Sequence, residues 1–203
     1  MTTKTKIKLA FACYLAAILI FIPTLAFAHE GDTIRFGSFL AGLFHPVLGL
    51  DHFLAMVSVG IISSQIGGRA IWTIPATFVG VMAVGWGLGV AGISLSYIEL
   101  GIALSVVVLG IAIALNRSFA MGITVIAVGL FAIFHGYAHG VEMPSIANPT
   151  RYALGFLTGT AIIHLIGVLV GDIPTRYEQR KTIFSVLGSG IAVFGVLFVV
   201  GIL

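Results

Sequence analysis

Cysteine is nearly missing from this chain: Cys13 is the only one among 203 residues, and it sits in an apolar run near the start. That excludes a disulfide framework and a thiolate metal site, so any metal bound here must take nitrogen and oxygen donors, a set ill-suited to Cu(I). Charge is scarce as well. Only 8% of residues are charged and 59% are hydrophobic, whereas a soluble domain averages roughly 25% charged. A soluble globular domain is thereby excluded, and the composition predicts an all-α integral membrane protein. The G-x-x-x-x-G-K-[S/T] phosphate loop is absent, so the chain itself does not hydrolyse nucleotide. H-E-x-x-H is absent too, and no serine stands beside a histidine as a nucleophile–base pair would need.

The net charge of +3 does not signal a nucleic-acid partner. Lys4, Lys6 and Lys8 precede an apolar run from Leu9 to Ile22, then Pro23 and the small-x-small stretch Ala26-Phe27-Ala28. These are the parts of a secretory signal peptide over residues 1–28, in order; an uncleaved signal anchor is the alternative. Ten basic residues less those three leave seven from His29 onward, against seven acidic ones, a formal charge of zero.

Residues 29–203 read as one membrane domain with six apolar spans, each about 20 residues or slightly longer and so able to cross a bilayer. They run Phe36–Ile62, Ala70–Ala91, Tyr97–Leu115, Phe119–Gly140, Tyr152–Gly171 and Ile183–Leu203. With the mature N-terminus outside, the inner connections hold Arg69, Arg117, Arg176, Arg180 and Lys181, and the outer segments hold Arg35 and Arg151. This excess of inner positive charge agrees with an exported N-terminus. Gly85-x-x-x-Gly89, Gly136-x-x-x-Gly140 and Gly155-x-x-x-Gly159 have the spacing of closely packed membrane helices. Two halves of three spans suit a 3+3 inverted arrangement, although the halves share no alignable repeat.

The polar residues inside these spans are few, and intramembrane ionisable groups mark sites or pathways by default. The first span carries His45, Asp51 and His52. The histidines are seven apart, hence on one face of an ideal helix. Pro46 and Gly49 lie between them, and a kink there would either swing Asp51 into the same cavity or leave it to orient a ligating imidazole. The fourth span ends with His135, His139 and Glu142 at i, i+4 and i+7, one stripe of one helix. The two clusters are expected to meet in the outer half of the membrane as a shared metal site. His164, alone in the fifth span, is either an interhelical hydrogen-bonding group or an accessory ligand. Glu99, at the start of the third span, either complements the helix dipole or draws cations to the entrance. His29, followed by Glu30 and Asp32, is a candidate outer capture point.

His45-x5-Asp51-His52 together with Phe134-His-Gly-x-Ala-His-Gly-x-Glu142 resembles the HupE/UreJ family of small nickel-type permeases. The resemblance covers essentially the whole mature chain. It implies uptake of Ni²⁺, with Co²⁺ second, across the bacterial inner membrane, and it places His45, Asp51, His52, His135, His139 and Glu142 at motif positions. Related proteins often begin their mature chain with a His-Pro-Gly-His-like element, where this one has His29-Glu-Gly-Asp32. The larger nickel–cobalt transporter family carries His-x4-Asp-His; five residues intervene here, and membership of that family is not implied. The expected protein is not an enzyme and holds no permanent cofactor. Its partners are a divalent cation (Ni²⁺, Co²⁺ or Zn²⁺ as substrate) and membrane lipid, without nucleic acid. Two alternatives remain at this point: an intramembrane zinc hydrolase, and a bis-histidine haem protein.

Overall fold

The computed structural model describes residues 36–117 and 119–203. The expected signal peptide, its cleavage site and His29 lie outside the described residues.

Among the described residues there are seven α-helices and no strand: α1 Ser38–Leu48, α2 Leu50–Ile66, α3 Ala70–Val90, α4 Ile98–Leu115, α5 Met121–Val141, α6 Pro149–Thr175 and α7 Arg180–Val199. The last five are each long and apolar enough to cross a membrane. Together α1 and α2 make the first span, bent by 81° at Gly49. The kink expected between His45 and His52 is therefore present, while the idea that the two histidines share the face of one helix is corrected. Pro46 is not the break: it lies inside α1, which continues to Leu48. Gly49 takes an extended conformation (φ −81°, ψ 110°), ending one helix and starting the next.

The other spans begin and end within a few residues of the apolar runs. The largest differences are four residues, at the ends of α6 and α7, and α6 also starts three residues before Tyr152. Asn148 caps it by accepting a hydrogen bond from the Arg151 amide at 3.0 Å, and Pro149 occupies the first turn. A side-chain acceptor followed by proline is a strong helix start, and hydropathy alone passes over it.

Glycine decides how the helices pair. A β-carbon on Gly136 would collide with the Met82 carbonyl, one on Gly140 with the Trp86 carbonyl, and one on Gly85 with the Ile133 carbonyl, so α3 and α5 run parallel in backbone contact. Gly155 and Gly159 meet Phe39 and Leu43 of α1, while Gly60 of α2 meets His164 and Gly167, so α6 packs against both halves of the first span in the same chain direction. Gly110, Gly188 and Gly195 bring α4 and α7 together antiparallel. Lipid offers apolar groups no hydrophobic gain on association, so such van der Waals contact between small residues is what holds helices together. The first span thus packs on the fifth, the second on the fourth and the third on the sixth. Exchanging the two halves of the chain maps this set of pairs onto itself, as an inverted 3+3 arrangement requires.

Arg69, Arg117, Arg176 and Arg180 lie at one end of the bundle. At the opposite end are the Gly49 break, Glu99 and Glu142. Between the ends, Met56, Phe78, Met82 and Phe156 are wholly buried.

Candidate metal site

The break at Gly49 creates the first half of the site. Because α2 starts at Leu50, Asp51 falls in its first turn, where free amides and the helix dipole favour an acid. Its Oδ1 accepts from the His52 amide at 2.7 Å and lies 2.9 Å from His52 Nδ1. A carboxylate only accepts, so the ring donates through Nδ1 and keeps its lone pair on Nε2. That Nε2 is buried without a hydrogen-bond partner. Of the two roles open to Asp51, the geometry matches the orienting one, a carboxylate fixing the ring whose other nitrogen is free to ligate.

The second half is built on α5 by a different device. His135 Nδ1 lies 2.9 Å from the Phe131 carbonyl oxygen one turn back, and a carbonyl can only accept. In the neutral ring His135 Nε2 therefore holds the lone pair, and it too is buried and unpaired. His139, one turn further on, is wholly buried with both ring nitrogens unpaired. Leaving a buried polar atom unsatisfied costs about 1–3 kcal/mol, so three such imidazoles at one level are poorly explained as packing.

The two halves meet. Ring centroids of His52 lie 5.0 Å from His135 and 5.0 Å from His139, and His45 lies 4.8 Å from His139 and 6.3 Å from His52. All are edge-to-face rather than stacked. His45 and His52 are thus close because the chain turns between them, not because seven residues make two turns. Glu142, just past the end of α5, reaches across to His45, with Oε2 3.0 Å from Nε2. This contact ties the first span to the fourth at the edge of the cluster. Among the described residues no three His, Cys, Asp or Glu side chains close around one point as a finished ligand set.

Two of the accessory candidates lie outside the ring contacts of the cluster. Glu99 is exposed in the first turn of α4 and makes none of the cluster's hydrogen bonds, but its carboxyl is within electrostatic range of Glu142, Asp51 and His52; its position is also one the helix dipole favours. His164 is buried deeper, in edge-to-face contact with Phe78.

Several residues of the site escaped the sequence reading. Phe156 stacks on His139 at 4.7 Å with 16° between the planes, and Tyr152 lies 5.9 Å from His45. Thr160 donates its hydroxyl toward Met56 Sδ at 3.3 Å and lies 3.9 Å from Met82 Sδ. A signal was there: Tyr152, Phe156, Thr160 and His164 recur every four residues, one stripe of α6 that is buried throughout. Such a stripe, seeded by an intramembrane histidine, marks the face of α6 turned to the site.

Comparison with known proteins bears on what this arrangement serves. The family model described as HupE / UreJ protein matches residues 16–198. Protein HupE of Rhizobium leguminosarum bv. viciae is 41% identical over 181 residues, which is 89% of this chain and 93% of that protein. No solved structure matches the chain.

Proposed function

The chain belongs to the HupE/UreJ family, and we propose that it takes up a divalent transition-metal cation through the cluster shared by the first and fourth spans. Membership of the family supports metal uptake in general and a transporter rather than an enzyme. Ni²⁺ as the favoured cargo, Co²⁺ as the second, the bacterial inner membrane and the outward N-terminus are parts of this reading.

The observation that carries it is the set of buried imidazole nitrogens without partners: His52 Nε2, His135 Nε2 and both nitrogens of His139. An ion arriving at the Glu142 end first meets Glu142 and His45, which close the cluster in this conformation. Displacing that contact opens the way to His139 and His52. Ring rotation then turns edge-to-face imidazoles toward a shared ion, and neutral nitrogen donors suit nickel, cobalt and zinc. Asp51 orients His52 and offsets the positive charge that the ion brings into hydrocarbon.

No nucleotide is needed. A divalent cation moving inward gains about 4.6 kcal/mol per 100 mV, twice the single-charge figure, which supports roughly a thousandfold accumulation or more at about 1.4 kcal/mol per decade. The hydrolase alternative has less support, because a zinc hydrolase needs a free general base beside the metal. Here Asp51 is engaged by His52 and Glu142 by His45.

Radioactive Ni²⁺ uptake into proteoliposomes at a set membrane potential, with Co²⁺ and Zn²⁺ as competitors, tests this reading. His52→Ala and His139→Ala are each expected to lower uptake at limiting metal by about 100-fold or more, at least as much as loss of a group that merely orients a ligand. Uptake within twofold of the parent in either variant would sink the assignment.

A further inference from the structure

On the side of the cluster facing the Arg117 end, the imidazoles do not stop; they are interrupted. His135 meets the ring of Phe78 at 5.3 Å and 63°, and the same ring meets His164 at 5.1 Å and 89°. Phe78 is wholly buried and His164 is 1% exposed, with neither nitrogen of His164 hydrogen-bonded. A histidine kept only for helix–helix adhesion would have found a partner, since each unsatisfied buried polar atom costs about 1–3 kcal/mol. An apolar residue of that size would pack there without the penalty.

Position along the helices gives the depth. His164 lies twelve residues beyond Tyr152 on α6, about 18 Å at 1.5 Å per residue, and its carbonyl packs on Gly60, two turns past His52 on α2. Phe78 lies eight residues into α3, about 12 Å from the Arg117 end. His164 therefore stands near mid-bundle, one aromatic ring removed from the cluster.

We propose that His164 is a second station for the transported cation and that Phe78 is the gate between His135 and His164. The inference rests on the transport reading above. An ion held on His135 Nε2 is shielded from His164 by the Phe78 ring, and rotation of that ring joins the two nitrogens into one path. The ring's neighbours permit the motion. Met82 lies one helical turn from Phe78 toward the cluster, and Thr160, one turn from His164, reaches the sulfurs of Met82 and Met56; thioether side chains readily refill irregular gaps. While closed, the apolar ring keeps water from bridging the two stations, as hydrophobic constrictions do in channels. Ions that hold their water firmly, such as Mg²⁺, are refused; those that exchange water for imidazole nitrogen are passed.

The test uses the full chain in proteoliposomes and lipid nanodiscs, reading equilibrium Ni²⁺ binding, Ni²⁺ uptake and Mg²⁺ leak side by side. His164→Gln keeps a hydrogen-bonding side chain of similar size. It is expected to bind Ni²⁺ at the cluster within about twofold of the parent while uptake falls about tenfold or more, the low end of what an orienting group costs. Phe78→Ala is expected to admit Mg²⁺ that the parent excludes, and Phe78→Leu, which keeps apolar bulk and guards against failure to fold, to leak less than Phe78→Ala but more than the parent. Unchanged uptake in His164→Gln, joint loss of binding and uptake in it, or Mg²⁺ exclusion by both Phe78 variants would each overturn the proposal. His52→Ala separates the two readings: if it retains binding and uptake, the cluster is wrong; if it loses both while His164→Gln loses neither, only the second station is.

Discussion

The first span breaks by 81° at Gly49, whereas α5 runs unbroken from Met121 to Val141, and both deliver histidines to one cluster. On the straight helix the i, i+4 spacing alone places His135 and His139 on one stripe, and the orienting acceptor for His135 is the helix's own Phe131 carbonyl. On the broken span no regular spacing does this work. The break brings His45 of α1 within 6.3 Å of His52 of α2, and it exposes a helix start where Asp51 can hold the His52 ring. A straight helix orients its ligand with backbone, which no substitution removes. The broken one uses a side chain, and is correspondingly sensitive to mutation. Broken helices of this kind, tolerated in hydrocarbon only where they line a protected cavity, are how transporters commonly build ion sites.

Four substitutions and one control would break or sharpen this contrast. Asp51→Asn should have the largest effect, lowering apparent Ni²⁺ affinity by about 10–100-fold in equilibrium binding, because the group that fixes His52 is weakened. No such side-chain handle exists for His135; an Asp51→Asn protein with parental affinity would mean the carboxylate plays no orienting part. Gly136→Ala attacks the straight helix through packing instead. A β-carbon there meets the Met82 carbonyl oxygen and lies 2.7 and 2.9 Å from its carbonyl and α-carbons. Overpacking of this kind costs about 1–3 kcal/mol, to be read as lower thermal stability in detergent. Gly80→Ala on α3, where a β-carbon meets open space, is the control expected to leave stability unchanged or slightly raised.

Gly49→Ala is predicted to be milder. Its β-carbon would sit 3.1 Å from Asp51 Oδ1 and 3.2 Å from His52 Nδ1. Both are side-chain atoms that can yield, at about 1 kcal/mol or less, which lowers metal affinity by about fivefold. Affinity falling as far as in Asp51→Asn would show the break itself to be rigidly required. Glu99→Gln should do least. Exposed at a helix start, Glu99 contributes about 0.3–1 kcal/mol of local stability through the dipole, and uptake should stay within twofold of the parent. A larger loss would restore Glu99 to the entrance.

Glycine shows why part of the fold was readable and part was not. Composition and run length announced the six spans, since only a helix satisfies its backbone groups within hydrocarbon. The spacing of Gly85, Gly89, Gly136 and Gly140 announced that helices would approach closely. It did not say which would pair, because a small residue accepts any backbone. Similarly, His45, His52, His135 and His139 stood out as costly residues in apolar runs, while Phe78, Phe156 and Thr160 looked like any other residues of their spans. Aromatic and threonine side chains are common in membrane helices, so their role depends on what faces them.

The sequence by itself therefore determined that this is a multi-pass helical membrane protein with two polar clusters, because burying such groups in lipid is expensive wherever the helices lie. It also left cysteine out of every span that carries a histidine. Only the tertiary structure decided that the first span turns at Gly49 rather than at Pro46, that Asp51 serves His52, and that Phe78 touches both His135 and His164. Those outcomes depend on contacts between spans distant in the chain, made where glycines let one backbone settle against another, and no local periodicity encodes them.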